Sequence, residues 1–252
     1  MCLIALAHRA TDAFPFVLAA NRDEDHARPT REAHAWDEAP DVFGGRDALH
    51  GGSWLAVTSG GRFAAVTNLR GAAQRTRSRG ALVSAFVTSR VTPEEFANEV
   101  AREAHQYSGF HLLVGEAGGA IVYVSGGDNA SPPRALDAGV HGLSNAPEGE
   151  RWPKVELAVA TMREAIDSAS DPHILADRLL EFLATPRNTG RIEEEAFIVS
   201  ERYGTRSSTI VIATMREIFF AEQSYVRGSP FAPPRRVYCV KKEDEPWLFG
   251  IA

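Results

Sequence analysis

Short apolar runs crowd both ends of this chain, while helical periodicity is confined to its middle. That order constrains the fold more than any other feature. "CLIALAH" and "FPFVLAAN", separated by "RATDA", read as a hairpin. "SWLAVT", "SGG" and "RFAAVTN" read as a clearer one around a glycine turn. "SRGALVSAFVTS" then carries apolar residues at helical spacing. "TPEEFANEVAREAHQY" follows, with Thr92 as cap, Pro93 in the first position and acidic residues in the first turn. Strands return in "FHLLVGE" and "AIVYVSG". Two more helices are predicted, one entered at Pro153 and one over "DPHILADRLLEFLAT" with Asp171 as cap. The chain closes on "AFIVS", "SSTIVIAT", "EIFFAEQSY" and "RVYCV", all β-like. Strict alternation of strand and helix is absent. Strands at both ends and helices between them predict an α+β layered fold with antiparallel sheets. No repeat, low-complexity tract or composition break marks a linker, so residues 1–252 are read as a single domain.

One stretch breaks the β pattern. "RDEDHARPTREAHAWDEAPDVFGGRDALHGG" is polar and carries Pro29, Pro40 and four glycines. It reads as a long loop, and long loops in compact domains are often functional, because ordinary connections take only about 4–6 residues.

Charge and motifs remove many functions. A formal net charge of −6 argues against nucleic acid as partner. Arg75, Arg77 and Arg79 sit together, but three arginines in a loop do not make a groove. Two cysteines, Cys2 and Cys239, cannot build a disulfide framework, and they suggest a reducing compartment. No apolar run approaches the ~20 residues that span a bilayer. The run from Leu3 to Ala7 is too short for a signal peptide and has no basic segment before it. The expectation is a cytoplasmic protein. Phosphate-binding glycine loops, C-x-x-C, H-E-x-x-H and G-x-S-x-G are all missing. The eight histidines are scattered, none at metal-ligand spacing, so no metal site is predicted.

Cys2 is what remains. If Met1 is removed, thiol and α-amine share one residue. Their unperturbed pKa values, about 8.5 and about 7.7–8.0, make proton transfer between them nearly isoenergetic. The amine can then serve as base without a histidine. A nearby arginine favours the thiolate and a nearby carboxylate holds the ammonium. "AANRDED" supplies both, in Arg22 and Asp23, where the second strand of a hairpin comes back beside the first. Neighbouring residues on a strand point to opposite faces, however. Asn21 and Asp23 share one face, Arg22 and Glu24 the other, and either pair could serve Cys2. Two asparagines that end β-like stretches, Asn68 and Asn145, are candidate donors to an oxyanion.

"MCLI", "NRDE", "RPT", "GGRD", "GGSWLAV", "GRFAAVTNLR" and "GLSNAP…WPKV", in that order, resemble the NRDE family of transport-and-Golgi-organisation proteins. "YGTRSSTIV" extends the resemblance into the last third. That family is similar in turn to the cysteine N-terminal-nucleophile (Ntn) hydrolases, such as bile salt hydrolases and penicillin V acylases. The resemblance implies an αββα four-layer sandwich with two antiparallel sheets. It implies Cys2 as nucleophile, Arg22 and Asp23 as its tuning pair, Asn68 and Asn145 at the oxyanion and substrate amide, and Arg206 as a late arginine. The acylases separate arginine and aspartate by two residues, and here they are adjacent.

For binding, Asn21 and Glu24 are the alternative pair. "GGRDALHGGSW" could close over a cleft and bring Arg46, His50 and Trp54 to it. Its plainer reading gives the glycines to tight turns, Trp54 to the core and His50 to the surface. The implied activity is hydrolysis of a linear amide of a small metabolite, without a cofactor. The alternative is a non-enzymatic carrier of haem or a lipid-like metabolite in the same cleft. A strand-rich layered fold is also compatible with a homodimer.

Overall fold

The computed structural model describes residues 3–127 and 130–226, and the backbone of two further strands, 236–241 and 248–251. Strands cover Leu3–His8 (β1), Phe16–Asp25 (β2), Thr30–Trp36 (β3), Ala39–Asp47 (β4), Leu55–Thr58 (β5), Arg62–Asn68 (β6), Phe110–Glu116 (β7), Ile121–Gly126 (β8), Arg134–Ala135 (β9) and Gly139–Ser144 (β10). Tyr203–Ala213 (β11), Glu217–Ser224 (β12), Arg236–Lys241 (β13) and Leu248–Ile251 (β14) complete them. Helices cover Gly80–Val87 (α1), Pro93–Glu103 (α2), Pro153–Ser168 (α3) and Pro172–Ala184 (α4). Thr92 and Glu95 form a full capping box at α2, and Asp171 caps α4 through the amides of His173 and Ile174.

The chain divides into two compact units. The first comprises residues 1–28, 138–144 and 148–252. Its antiparallel sheet runs β10-β1-β2-β11-β12-β13-β14. Leu3, Ala5, Ala7, Val17, Ala19, Ile210 and Ile212 turn toward α3 and α4 and meet Met162, Leu175 and Leu179. The alternate residues Ile4, Leu6, Leu18 and Val211 are also buried. Both faces are covered, so these strands read as unbroken apolar runs rather than as alternation.

The second unit comprises residues 29–137 and 145–147, with sheet order β3-β4-β5-β6-β7-β8-β9. Ala64, Val66, Leu112, Val114, Val122 and Val124 pack on Leu82, Phe86, Phe96 and Val100 of α1 and α2. Phe63, Ala65, Leu113 and Tyr123, on the opposite face, are buried as well.

Two expectations are corrected. The polar stretch before Trp54 is not a loop but contains β3 and β4. β3 is the edge strand of its sheet, where polar residues are tolerated and protect against pairing with other chains. Trp36, Val42 and Phe43 anchor the pair to the core. Pro29 precedes β3, and Pro40 lies before β4 begins pairing with β5 at Val42, so neither proline removes a needed donor. "AFIVS", in turn, is not a strand. Ala196, Phe197 and Ile198 are buried as an irregular segment whose backbone bonds to residues of β2 and β11. Among the described residues no helix is long and apolar enough to cross a membrane.

Candidate functional site

β2 lies between β1 and β11 and carries the NRDE motif in its last turn of register. Leu3 aligns with Asn21 on one side and with Ser144 on the other, and Asn21 aligns with Ser208. Ser144, Leu3, Asn21 and Ser208 therefore form one rung across four strands. The Asn21 side chain faces the helices. Its amide donates to the Leu183 carbonyl at 2.8 Å and the Ala196 carbonyl at 2.7 Å. Its Oδ1 accepts from Ser208 Oγ at 2.5 Å, and Ser208 in turn lies 2.9 Å from the Tyr225 hydroxyl. Burial pushes the Tyr225 pKa up to about 12 against the opposing pull of the Ser208 bond. Both Asn21 amide hydrogens are used in tying β2 to α4 and to the 196–198 segment.

Asp23 lies on the same side. Its Oδ1 accepts from Thr205 Oγ1 at 2.7 Å, and that hydroxyl accepts from the Ile198 amide at 2.9 Å. Arg22, only 4% exposed, belongs to the opposite face by strand alternation. The structure thus keeps Asn21 and Asp23 together and separates Arg22 from Asp23. A bulge in β11 makes this arrangement possible. Thr205 aligns with Asp23 and Ser207 with Arg22, and Arg206 is the extra residue between them. Its guanidinium Nη1 donates to the carbonyls of Asp25, His26 and Arg28 at 3.0, 3.2 and 3.3 Å, and so fastens the exit of β2. At that exit, the Ala27 amide and the Arg202 guanidinium hold the Asp25 carboxyl below its usual range. Glu24 Oε2 lies 3.6 Å from Arg28 Nε.

The two asparagines belong to the second unit, and the segment that follows Asn68 is bonded to Asn145. Asn68 ends β6, half-buried and aligned with Phe110. Two residues on, the Arg70 amide donates to the Asn145 carbonyl at 2.9 Å. His111 fixes the same turn, with Nε2 at 2.8 Å from the Ala146 carbonyl and Nδ1 at 2.8 Å from the Tyr123 hydroxyl. A carbonyl only accepts, so the neutral ring carries its proton on Nε2. Asn145 is 8% exposed, and its Oδ1 is wholly covered with no hydrogen-bond partner among the described residues. A buried amide oxygen left so costs about 1–3 kcal/mol, which a ligand donor recovers.

The remaining candidates lie in the β4–β5 region. Trp54 is buried, and a side-chain carbon on Gly45 would stand 2.2 Å from its ring. The glycine is there to admit the indole. Arg46 lies over the Trp36 ring and pairs with Glu38 at 2.8 Å. His50 is exposed, 3.5 Å from Asp47. Cys2 lies outside the described residues, as does the side chain of Cys239. Among the described residues no three histidine, cysteine or acidic side chains could hold a metal ion.

Sequence reasoning passed over Ser207, Ser208, Thr205, Tyr225 and the positioning role of His111. The serines and threonine read as ordinary strand residues. A histidine inside the apolar run "FHLLVGE" was the one visible signal.

Solved structures of similar fold include Ntn hydrolases. A Caenorhabditis elegans N-acylethanolamine-hydrolyzing acid amidase ortholog matches with a TM-score of 0.53 at 12% identity, over 84% of this chain and 92% of its own. Penicillin V acylase from Agrobacterium tumefaciens matches with a TM-score of 0.55 at 10% identity, over 94% and 90%. The mutant C2A form of conjugated bile acid hydrolase from Clostridium perfringens matches with a TM-score of 0.53 at 9% identity, over 99% and 96%. These likenesses establish an Ntn-hydrolase fold, α+β with two antiparallel sheets. Within that class the sequence is more specific. The family model for Transport and Golgi organisation 2 matches residues 1–227, and the chain belongs to that family. The Transport and Golgi organization protein 2 homolog of Bos taurus is 29% identical over 249 residues, 87% of this chain and 90% of its own length. The Homo sapiens homolog is 32% identical over 182 residues, 68% of this chain and 66% of its own.

Proposed function

We propose that this protein is a cysteine Ntn amidohydrolase, with Cys2 as nucleophile once Met1 is removed, acting on a linear amide of a small metabolite. One observation carries the reading. Leu3 is aligned with both Asn21 and Ser144. Cys2, Arg22 and Asn145 are the next residues along their three chains from that rung. Chain connectivity to that rung is what supports assigning the nucleophile, its arginine and the oxyanion carboxamide to these three residues. The reading needs the thiol on the Arg22 face, which is the face that alternation from the helix-facing Leu3 would give a continued strand. The bile acid hydrolase of similar fold, studied as its C2A mutant, also has its cysteine at position 2.

The chemistry follows. The α-amine takes the thiol proton, and Arg22 favours the resulting thiolate. Sulfur attacks the amide carbon, and the carbonyl electron pair moves to oxygen. The Asn145 amide N–H and a backbone N–H hold that oxyanion. The covered Asn145 Oδ1 accepts from an N–H, which both the α-amine and the scissile amide supply. As the C–N bond breaks, the α-ammonium returns its proton to the leaving amine. Water then cleaves the thioester, giving a carboxylic acid and the free thiol. Asn68, at the end of β6, is the second candidate contact to the oxyanion or substrate amide.

Intact-mass spectrometry with and without iodoacetamide tests this. The expected result is a chain lacking Met1 that takes one rapid adduct, mapping to Cys2. Retention of Met1, or a Cys2 no faster than Cys239, removes the base or the activation and ends the reading.

A further inference from the structure

Ser207 stands in β11 aligned with Arg22 on one side and Ser224 on the other. Ser208 points to the helices, so Ser207 presents its hydroxyl on the Arg22 face. It is 4% exposed, and its Oγ is fully covered with no hydrogen-bond partner among the described residues. The next hydroxyl along that face is different: Thr209 Oγ1 donates to Glu222 Oε2 at 3.1 Å. Buried hydroxyls are rarely left without partners, and one that is calls for an explanation such as strain, a functional role, or a water, ion or ligand that completes the bond. Among the described residues Ser207 Oγ and Ser84 Oγ are such hydroxyls, and Asn145 Oδ1 is an amide oxygen in the same state; of the two hydroxyls only Ser207 lies on the Arg22 face of β11.

Resting on the hydrolase reading above, we propose that Ser207 is a substrate-binding residue. It donates its O–H to a second acceptor group of the substrate, remote from the scissile amide. Strand geometry sets the distance. One strand separates β11 from β1, so Ser207 lies two inter-strand spacings, about 9.5 Å, from the strand whose start carries the nucleophile. A substrate laid across the strands reaches from thiol to hydroxyl with on the order of seven bonds. The substrate class is therefore an amide that carries a carbonyl, carboxylate or hydroxyl oxygen at about that separation. A purely hydrocarbon acyl chain would leave the hydroxyl unpaired. Arg22, between the two, favours an acceptor oxygen over a donor along this path.

Cys2-directed reagents with tails measure the distance. A series of chloroacetamides carries a terminal carboxamide on one to five methylenes. In each, the Cys2 sulfur bonds to the chloromethyl carbon and chloride leaves. Every rate is divided by that of plain chloroacetamide on the same variant, so folding and thiolate differences cancel. The expected profile peaks near about three methylenes, roughly tenfold above plain reagent, the worth of one buried hydrogen bond. Ser207→Ala flattens it, and Ser224→Ala leaves the peak in place. A flat profile in the native chain, with Cys2 still labelled by plain chloroacetamide, overturns the Ser207 subsite and spares the hydrolase reading. A peak that survives Ser207→Ala overturns it as well. Failure of plain chloroacetamide to label Cys2 brings down the hydrolase reading, and the subsite with it.

Discussion

Asn21 and Arg22 are neighbours in sequence, and so are Ser208 and Ser207 across from them, yet the two pairs live in opposite regimes. On the helix side, Asn21 holds two carbonyls and one hydroxyl, and Ser208 passes the chain on to Tyr225. The polar atoms of Asn21 and Ser208 are thus matched within the fold. On the other side, Ser207 has a covered hydroxyl and no partner among the described residues. A β-strand can serve two purposes at once because its period is 2. The NRDE motif uses this: Asn21 secures the strand, and in the hydrolase proposal Arg22, on the other face, is the residue presented to chemistry. The β11 bulge at Arg206 keeps Thr205 and Ser208 on the securing side although they are three apart.

The comparison breaks most visibly at Asn21. Asn21→Leu leaves the Leu183 and Ala196 carbonyls without donors and Ser208 without its acceptor. Each buried group left unsatisfied costs about 1–3 kcal/mol, so a loss near 4 kcal/mol is expected in urea unfolding. Cys2 alkylation in the fraction that stays folded should change less than twofold. A Tm that barely moves would show that the helix-side network is not structural. Arg22→Leu tests the other regime. An arginine beside a thiolate lowers its pKa by about 1–3 units, so iodoacetamide labelling of Cys2 at neutral pH should slow by about tenfold or more, with the rate rising again at alkaline pH. An unchanged pH profile would exclude Arg22 from the nucleophile's surroundings.

How much of this could be read from residues alone follows from the same physics. The strand-helix-strand order was visible because buried strands are continuous apolar runs. Caps at Thr92 and Asp171 were visible because their chemistry is local. β3 was hidden, since an edge strand tolerates charge and its pairing with β4 is broken by register shifts between Arg31 and His34 and between Ala35 and Trp36. "AFIVS" misled for the opposite reason: its apolar residues are buried, but its backbone bonds go to a β2 carboxamide and to Thr205 rather than to a ladder. Around the site, alternation alone parts Arg22 from Asp23. It could not reveal the bulge, which depends on pairing β11 with a strand some 180 residues earlier. Arg206 was singled out by resemblance, and its geometry shows an arginine directed at three main-chain carbonyls.

The smallest effect sharpens the comparison by loosening the securing side from a distance. Glu195 precedes Ala196, whose carbonyl receives Asn21. Burial works to raise the Glu195 pKa. The amides of Arg187 and Thr189 and the Thr189 hydroxyl outweigh it, so the group titrates below its ordinary 4.5. A carboxyl depressed in the folded state contributes stability that is complete above the unfolded pKa. That stability is lost as pH falls below about 4.5 and through the folded value. Glu195→Gln should therefore cost about 1–2 kcal/mol at pH near 6, the difference between charged and neutral acceptors. The gap to the native chain should close as pH falls through the lowered folded value, below which the native carboxyl is protonated. Throughout, Cys2 labelling at neutral pH should match the native rate, because Glu195 acts on the Asn21 side of β2. A gap that persists at low pH would make the loss one of packing rather than charge. A slowed Cys2 would mean that the two faces of β2 are coupled, and that securing the strand and tuning the thiol are one function.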